Sequence, residues 1–215
     1  MIVTIARQLG SGGGTIGQAV AERLAMAYVD REIIQRAAEM AEVSEDVFHE
    51  VDERHPSFLE RVLSLVVGYQ SPVAPEYLPP DAIILPQPAH DSYHQLVEEV
   101  IKQVAVRGDA VIVGRAGQAI LHSWQPALHV YVYAPLQIRV QRVAEREGID
   151  AEAATKKVHE SDRNRAGYLR TYYKVAWHNP ELYDLIINTG RLSFEQATGL
   201  IVAAANAQRE RKQVG

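Results

Sequence analysis

The sequence predicts an α/β fold in which a parallel sheet is covered by helices on both faces. Along most of the 215 residues, short runs rich in β-branched residues alternate with longer segments of helical periodicity. The run Ala-Val-Ile-Val at 110–113 contains no polar residue, which is typical of a strand buried on both faces. A hydrophobic fraction of 47% and this length suit one α/β domain with an elaboration.

The first elements follow from the spacing of the apolar residues. Ile2 opens an apolar run over 2–6 that predicts a strand, and Ile16, Val20 and Leu24 repeat at helical spacing after it. The proline-rich segment 72–88 is predicted to be irregular, and the tail 209–215 to fray. The other predicted strands are 27–31, 110–113, 128–133 and 185–188, and the other predicted helices are 32–42, 91–106, 138–147 and 194–208.

Composition limits the classes of partner. The net charge of −5 argues against a protein that coats nucleic acid, and no window approaches 18 apolar residues. The absence of cysteine excludes disulfides and thiolate metal sites. We therefore expect a cytoplasmic monomer or homodimer that binds neither nucleic acid nor membrane.

A glycine-rich turn between the first strand and the first helix predicts a phosphate site. Glycine lets successive backbone N–H groups turn toward an anion, and the N-terminus of the following helix adds about half a positive charge. The ligands of a parallel sheet also lie beyond the carboxyl ends of its strands. The turn comprises Gly10, Ser11, Gly12, Gly13, Gly14 and Thr15.

Three interpretations of this turn remain open from the local residues alone. Set against the P-loop pattern, the window 8–15 keeps Gly13 and Thr15, but it has Gln8 for the first glycine and Gly14 for the lysine. The three residues between the strand and the first glycine suit the longer P-loop. A flexible glycine connector is the second interpretation. The third is a dinucleotide-binding motif, formed by Gly12, Gly14 and Gly17 with Asp30 as the ribose-binding acid.

Arginine must supply any positive charge in the N-terminal half. Only five of the 22 cationic residues are lysine, and the first is Lys102. Arg163 and Arg165 lie in the segment 160–170, and a mobile flap with such arginines could close over a triphosphate and exclude water. The alternative is a solvated helix face, on which the two arginines pair with neighbouring carboxylates.

Six short motifs together resemble the cytidylate kinase-like family, a branch of the P-loop nucleoside monophosphate kinases. The resemblance covers nearly the whole chain and is weakest over 43–95. The motifs are Ile-Ala-Arg-Gln-Leu-Gly-Ser-Gly-Gly at 5–13, Val-Asp-Arg-Glu-Ile-Ile at 29–34, Val-Ile-Val-Gly-Arg at 111–115, Val-Tyr-Ala-Pro at 132–135, Asp-Arg-Asn-Arg-Ala at 162–166 and Ile-Asn-Thr at 187–189.

The resemblance implies a fold and an activity. The fold is a three-layer α/β/α domain with a five-stranded parallel sheet, a monophosphate-binding insert and an arginine lid. The core would comprise 1–42, 96–150 and 180–208, the insert about 43–95, and the lid about 151–179. The activity is transfer of the γ-phosphate of ATP to CMP, dCMP or a related nucleoside monophosphate, with Mg²⁺.

The resemblance also implies roles for particular residues. The donor nucleotide would bind Gly10, Ser11, Gly12, Gly13, Gly14 and Thr15, with Arg139 and Arg142 on the helix that leads to the lid. The acceptor would bind Asp30, Arg31 and Arg115. Arg7, Arg163 and Arg165 would balance the charge of the transferring phosphoryl group, and the Thr15 hydroxyl would bind Mg²⁺.

Two positions depart from the family pattern. True cytidylate kinases carry lysine where this chain has Gly14, and an aspartate that helps to recognise cytosine where it has Ala116. The sequence therefore leaves an alternative, a nucleotide-binding protein of the same fold with weak or no turnover.

Overall fold

The computed structural model describes residues 1–30 and 90–214. These residues belong to two compact units. One comprises Met1–Asp30 and the chain from Gly108 onward, and the other contains the helix His90–Arg107. Several predicted features lie outside the described residues: the helix 32–42, the segment 43–89 of the insert with its proline-rich part 72–88, and Arg31.

The predicted elements that the structure describes occur in the predicted order, with small changes at most of their ends. The helices Gly117–Ile120 and Ala151–Tyr173 were not predicted from the periodicity. The predicted strand 27–31 ends at Val29, and the predicted helix 138–147 begins two residues earlier because Pro135 caps it. In chain order the elements are β1 (Ile2–Arg7), α1 (Gly13–Leu24), β2 (Ala27–Val29), α2 (His90–Arg107), β3 (Ala110–Val113), α3 (Gly117–Ile120), β4 (Ala127–Tyr133), α4 (Leu136–Glu147), α5 (Ala151–Tyr173), a 3-10 turn (Pro180–Leu182), β5 (Leu185–Asn188) and α6 (Phe194–Val214).

The five strands form one parallel sheet in the order β2-β3-β1-β4-β5. In the central strand, Ile2 is paired with Ala110 on one side and with Ala127 on the other. All five strands therefore end at the same edge of the sheet, where the loop after β1 also lies. The predicted α/β class with a five-stranded parallel sheet is confirmed.

Apolar residues cover both faces of the sheet. On one face α1 and α6 pack together, with Ile16 and Ile201 fully buried in the same cluster as Val130. On the other face an aromatic cluster forms around Tyr131 and Trp177, whose ring centroids are 5.7 Å apart. The helices α4 and α5 pack against each other through a separate small cluster. The sheet is thus covered by two helices on one face and by the aromatic cluster on the other, as the apolar strands predict.

The two longest described helices are α5 and α6, of 23 and 21 residues. Helix α6 continues to Val214, so the predicted fray of 209–215 is wrong for 209–214. The reason is partly that Arg209 is anchored, its Nη2 lying 3.2 Å from Oδ2 of Asp109. Within residues 1–30 and 90–214, no helix combines the length and the apolar character needed to cross a membrane.

A buried polar pair links the central strand β1 to its neighbour β4. Thr4 Oγ1 and His129 Nδ1 share a hydrogen bond of 2.7 Å, and both residues are buried. Burial lowers the pKa of the His129 imidazole below its usual range; Asp184 opposes this lowering, and His122 adds to it. The folded protein therefore resists protonation of His129.

We expect the stability of the fold to fall as the pH drops below about 6.5, the ordinary pKa of histidine. The folded-state pKa of His129 is lowered, so its contribution is complete above that value and is lost as the pH falls toward the folded-state pKa. One proton changes the free energy of unfolding by at most about 1.4 kcal/mol per pH unit. Urea unfolding between about pH 7.5 and 5 should show a flatter profile for His129→Gln than for wild type. The exposed His159→Gln is the control, and identical profiles for wild type and His129→Gln would contradict this expectation.

Candidate functional site

The loop from Gln8 to Gly12 joins β1 to α1, and its shape requires glycine. Gly10 and Gly12 have φ angles of 80° and 82°, in the left-handed region that glycine adopts without strain. A Cβ at Gly12 would lie 2.2 Å from Cζ of Phe194, and one at Gly10 would lie 2.6 Å from the carbonyl oxygen of Arg139. The predicted glycines are therefore a steric requirement of this loop.

The N–H groups at the beginning of α1 are open. Gly12 caps the helix without a side-chain hydrogen bond, and the first backbone bond is donated by Ile16 to the carbonyl oxygen of Gly12 at 3.0 Å. Among the described residues, the amides of 12–15 donate to no backbone or side-chain acceptor. Unsatisfied amides at a helix N-terminus are a site for an anion, because the helix dipole adds positive potential there.

Neighbouring side chains hold the loop in this shape. Ser11 Oγ donates to the carbonyl oxygen of Gln8 at 2.8 Å, and Thr189 Oγ1 donates to the carbonyl oxygen of Ser11 at 2.7 Å. Oε1 of Gln8 accepts a bond of 3.2 Å from the N–H of Ala134. Because these bonds form within the protein, an incoming anion has little ordering of the loop to achieve.

The Arg7 side chain passes the first turn of α1, and its guanidinium lies against Gly114 at the end of β3. A Cβ at Gly114 would lie 1.6 Å from Nη1 of Arg7, and one at Gly13 would lie 2.4 Å from Cβ of Arg7. The side chain therefore runs from the end of β1 between the first turn of α1 and the end of β3. The two glycines make room for it, and the positive charge lies at the carboxyl edge of the sheet.

Gly14 and Thr15 form the rest of the first turn of α1. Among residues 1–30 and 90–214, a Cβ at Gly14 would meet only the Tyr28 hydroxyl oxygen, at 4.0 Å, so these residues leave space for a side chain there. Thr15 is exposed. No three His, Cys, Asp or Glu side chains group as a metal site in the described part of the chain. Mg²⁺ that binds with a nucleotide takes most of its ligands from phosphate and water, so a hydroxyl such as that of Thr15 fits it.

Arg115 stands in a strained turn after β3. Gly114, Arg115 and Ala116 have φ angles of 82°, 52° and 58° in succession. For a residue other than glycine the left-handed region costs about 1–2 kcal/mol. Strain of this kind is typical of functional sites, and here it fixes the direction of Arg115. Asp30 follows β2, the neighbour of β3. Asp30 and Arg115, the two predicted acceptor residues that the structure describes, therefore lie at the same edge of the sheet.

Arg142, predicted to bind the donor nucleotide, contacts the outer side of the loop. Its Nη1 donates to the carbonyl oxygen of Gly10 at 3.3 Å, and its Nη2 to the carbonyl oxygen of Thr189 at 2.9 Å. The guanidinium also lies 4.9 Å from the centroid of the Phe194 ring. In the structure Arg142 supports the loop, and direct contact with the nucleotide stays a prediction.

Arg139, the other predicted donor-binding arginine, is 5% exposed. It donates to Oδ2 of Asp162 at 2.8 Å and to the carbonyl oxygen of Ala134 at 3.1 Å. These partners come from α5 and from the turn after β4, so the guanidinium is held by protein groups. A role in direct nucleotide binding stays a prediction here too.

The predicted lid arginines lie on α5, a continuous helix. Arg163 is exposed, whereas Arg165 is half-buried and donates to the Ser161 hydroxyl. Residues two apart on a helix do not share a face, so the side chains of Arg163 and Arg165 leave α5 in different directions. Arg165 lies three residues after Asp162 and shares its face, which contacts α4. A role of Arg163 or Arg165 at the phosphates stays a prediction.

The strand order argues against the dinucleotide-binding interpretation. In that fold β2 lies next to β1, so that an acid after β2 can reach a ribose bound at the first turn. Here β3 lies between β1 and β2, so the end of β2 is two strands away from the glycine turn, about 10 Å. Asp30 therefore does not take the position that the motif requires, and the hypothesis of an oxidoreductase is wrong.

Sequence reasoning missed several residues that shape the site. Thr189 belongs to the motif at 187–189, but the sequence does not reveal that its hydroxyl bonds to the loop. Phe194 covers Gly12, and Asp162 pairs with Arg139. The position of Thr189 after the carboxyl end of a strand could have indicated that it lies near the site. The contact of Phe194 with Gly12 could not be predicted, because nothing in the local sequence distinguishes Phe194 from a core residue of α6.

Comparisons with known proteins agree with this geometry. A model of the cytidylate kinase-like family matches residues 2–191. The cytidylate kinase of Methanopyrus kandleri is 31% identical over 119 residues, which cover 52% of this chain and 62% of that protein, less than two thirds of its length. The cytidylate kinase of Methanothrix thermoacetophila is 24% identical over 208 residues, 96% of this chain and 99% of that protein.

A solved structure supports the fold. The structure of an uncharacterized protein from Eubacterium ventriosum is similar with a TM-score of 0.69 and 19% sequence identity, over 96% of this chain and 98% of that chain. At this identity the similarity shows a shared fold. Because the matched residues 2–191 include all five strands and the loop, the chain belongs to the cytidylate kinase-like family.

Proposed function

We propose that the protein is a nucleotide kinase that transfers the γ-phosphate of ATP to a nucleoside monophosphate, with CMP or dCMP as the first acceptors to test. The observation that carries the proposal is the set of open amides at 12–15. The Arg7 side chain passes this turn at Gly13 before its guanidinium reaches Gly114. Relatives that bear the name cytidylate kinase support the choice of acceptor.

The reaction asks for positioning and charge compensation more than for covalent chemistry by the protein. A bond forms between an oxygen of the acceptor phosphate and the γ-phosphorus of ATP, and the bond from that phosphorus to the β-γ bridging oxygen breaks, leaving ADP. The open amides would hold the donor phosphates through charge-assisted hydrogen bonds. Asp30, Arg31 and Arg115 would orient the acceptor.

Arg7 takes the role of the missing P-loop lysine in this proposal. Relatives of this branch tend to carry arginine at position 14 and true cytidylate kinases carry lysine there. Gly14 has no charge, whereas the side chain of Arg7 passes the first turn of α1 at Gly13. A guanidinium can bind two phosphate oxygens at once and keeps its charge at any physiological pH. Mg²⁺, when bound with ATP near the Thr15 hydroxyl, supplies further neutralisation of the phosphate charge.

A screen of acceptors tests the proposal. The purified protein is incubated with ATP, Mg²⁺ and each of CMP, dCMP, UMP, AMP and GMP, and the phosphorylated acceptor is measured. We expect transfer to at least one of them, above ATP hydrolysis without acceptor. No transfer to any acceptor, by a protein whose melting temperature ATP still raises, would refute kinase activity and leave nucleotide binding.

The absence of a charge at Gly14 favours a second candidate, a nucleotide-binding protein without turnover. Gly14→Lys separates the two, since a side chain there has space. If Arg7 already supplies the charge, Gly14→Lys should change kcat/KM by less than about tenfold; if charge is missing, the gain should reach about 10²-fold. Gly14→Met is the matched control for side-chain bulk. A large gain with lysine alone would show that the natural chain lacks the catalytic cation.

A further inference from the structure

We infer that Arg139 is a positioning residue, which couples the donor-phosphate loop to α5, the helix that carries the predicted lid arginines. The inference rests on the proposed function, because only that function assigns the loop and the helix to one reaction. Arg139 lies on α4, between the two. It acts through its protein partners and needs no contact with the nucleotide.

One buried guanidinium joins three separate segments. Its Nε donates to the carbonyl oxygen of Ala134, and its Nη1 donates to Oδ2 of Asp162 at 2.8 Å and more weakly to the carbonyl oxygen of Leu9 at 3.5 Å. The Arg139 side chain is 6% exposed and that of Asp162 is 21% exposed. A buried charge needs its partners, so a displacement of any one segment leaves the guanidinium poorly satisfied.

Two further contacts attach the loop at the same place. Gly10 packs directly on the backbone of Arg139, leaving no room for a Cβ. The side chain of Leu9 packs against the cluster of α4 and α5 residues formed by Val143, Ala154 and Val158. The loop is therefore connected to both helices by apolar packing as well as by the guanidinium.

The ion pair also determines which arginine α5 presents. Because Asp162 is held by Arg139, the rotation of α5 about its axis is fixed, and Arg165 lies on the same face three residues later. Burial raises the pKa of the Tyr131 hydroxyl, Asp162 adds to this, and the charges of Arg139 and Arg165 oppose it. All three charged groups thus lie near Tyr131 on β4. Occupation of the loop and the position of Arg165 should depend on each other.

The test compares a double variant that replaces the pair by apolar side chains, Arg139→Met with Asp162→Leu, with the wild-type protein. Removing both partners leaves no unpaired buried charge, so the fold should survive. Amide hydrogen exchange of α5 is measured with and without ATP and Mg²⁺. In wild type we expect ATP to slow this exchange by about tenfold, and in the double variant we expect that protection to be lost. We also expect kcat to fall about 10- to 100-fold, with the dissociation constant of ATP nearly unchanged.

A second ion pair between the same two helices gives a matched control. Lys157 of α5 pairs with Glu147 of α4 at an exposed position away from the loop. Lys157→Met with Glu147→Leu should keep the ATP-dependent protection of α5. If the apolar double variant fails to fold, Arg139→Lys replaces it in the test. Lysine keeps the charge but lacks the planar guanidinium, so we expect the same losses of ATP-dependent protection and of kcat.

The outcomes separate this inference from the proposed function. Three results would overturn the coupling. ATP could protect α5 equally well without the Arg139–Asp162 pair, the protection could be lost equally in the Lys157 control, or wild type could show no protection at all. Protection that is present and depends on Arg139, in a protein that transfers no phosphate to any acceptor, would uphold the coupling and reject the kinase.

Discussion

Arg7→Met should lower kcat/KM for phosphoryl transfer by about 10²- to 10³-fold, the usual cost of removing one group that stabilises charge in a transition state. The guanidinium that touches Gly114 would be gone, and Gly14 offers no charge in its place. Arg7→Lys keeps a charge without the planar fork, so its loss should be smaller. Steady-state kinetics with ATP and the best acceptor measure all three proteins.

The strongest control for this prediction is a rescue. A lysine introduced as Gly14→Lys into the Arg7→Met variant should recover part of the lost rate, because the space at position 14 is open. Arg23→Gln, at the opposite end of α1 in an exposed pair with Glu195, should keep wild-type kinetics. Wild-type kcat/KM in a folded Arg7→Met protein would remove Arg7 from the catalytic machinery.

Gly12→Ala should weaken ATP binding by about 10²-fold or more. The new Cβ would lie 2.2 Å from Cζ of Phe194, at a φ of 82° that costs alanine about 1–2 kcal/mol, so the loop must move. Movement takes the amides of 12–15 away from the phosphates, and each hydrogen bond to a charged group is worth about 1.5–3 kcal/mol. Calorimetric titration with ATP measures the effect.

Gly199→Ala is the matched control for the glycine substitution. It lies in α6, where an added Cβ would meet no atom of the described residues within 4 Å. Alanine is the better helix former there by about 1 kcal/mol, so this variant should bind ATP normally and be no less stable. ATP affinity in Gly12→Ala equal to that of the control would show that the loop shape does not matter for binding.

Local pattern was sufficient for most of the described fold. The strands 110–113 and 185–188 were predicted with the bounds that the structure has, because their apolar runs end at glycine or at polar residues. The glycine turn and its phosphate site also followed from local chemistry. The strand order, by contrast, depends on contacts between distant segments, and it was needed to reject the dinucleotide-binding hypothesis.

The arginines show where the sequence stops being informative. The family resemblance implies that Arg139 and Arg142 bind the donor nucleotide. In the structure both side chains bond to the loop, 130 or more residues away in sequence. Burial of a guanidinium depends on what the fold brings over it, which helix periodicity does not reveal. Arg7 was a candidate only because the lysine was missing, and its position beside Gly114 came from the structure.

The central claim is that backbone amides and Arg7 hold the donor phosphates without a P-loop lysine. The most direct test is the amide NMR spectrum of the ¹⁵N-labelled protein during titration with ATP and Mg²⁺. We predict the largest downfield shifts of the amide protons at Gly12, Gly13, Gly14 and Thr15, with a shift of the Arg7 Nε–H. ATP that binds and leaves these signals unchanged, while signals elsewhere move, would contradict the claim.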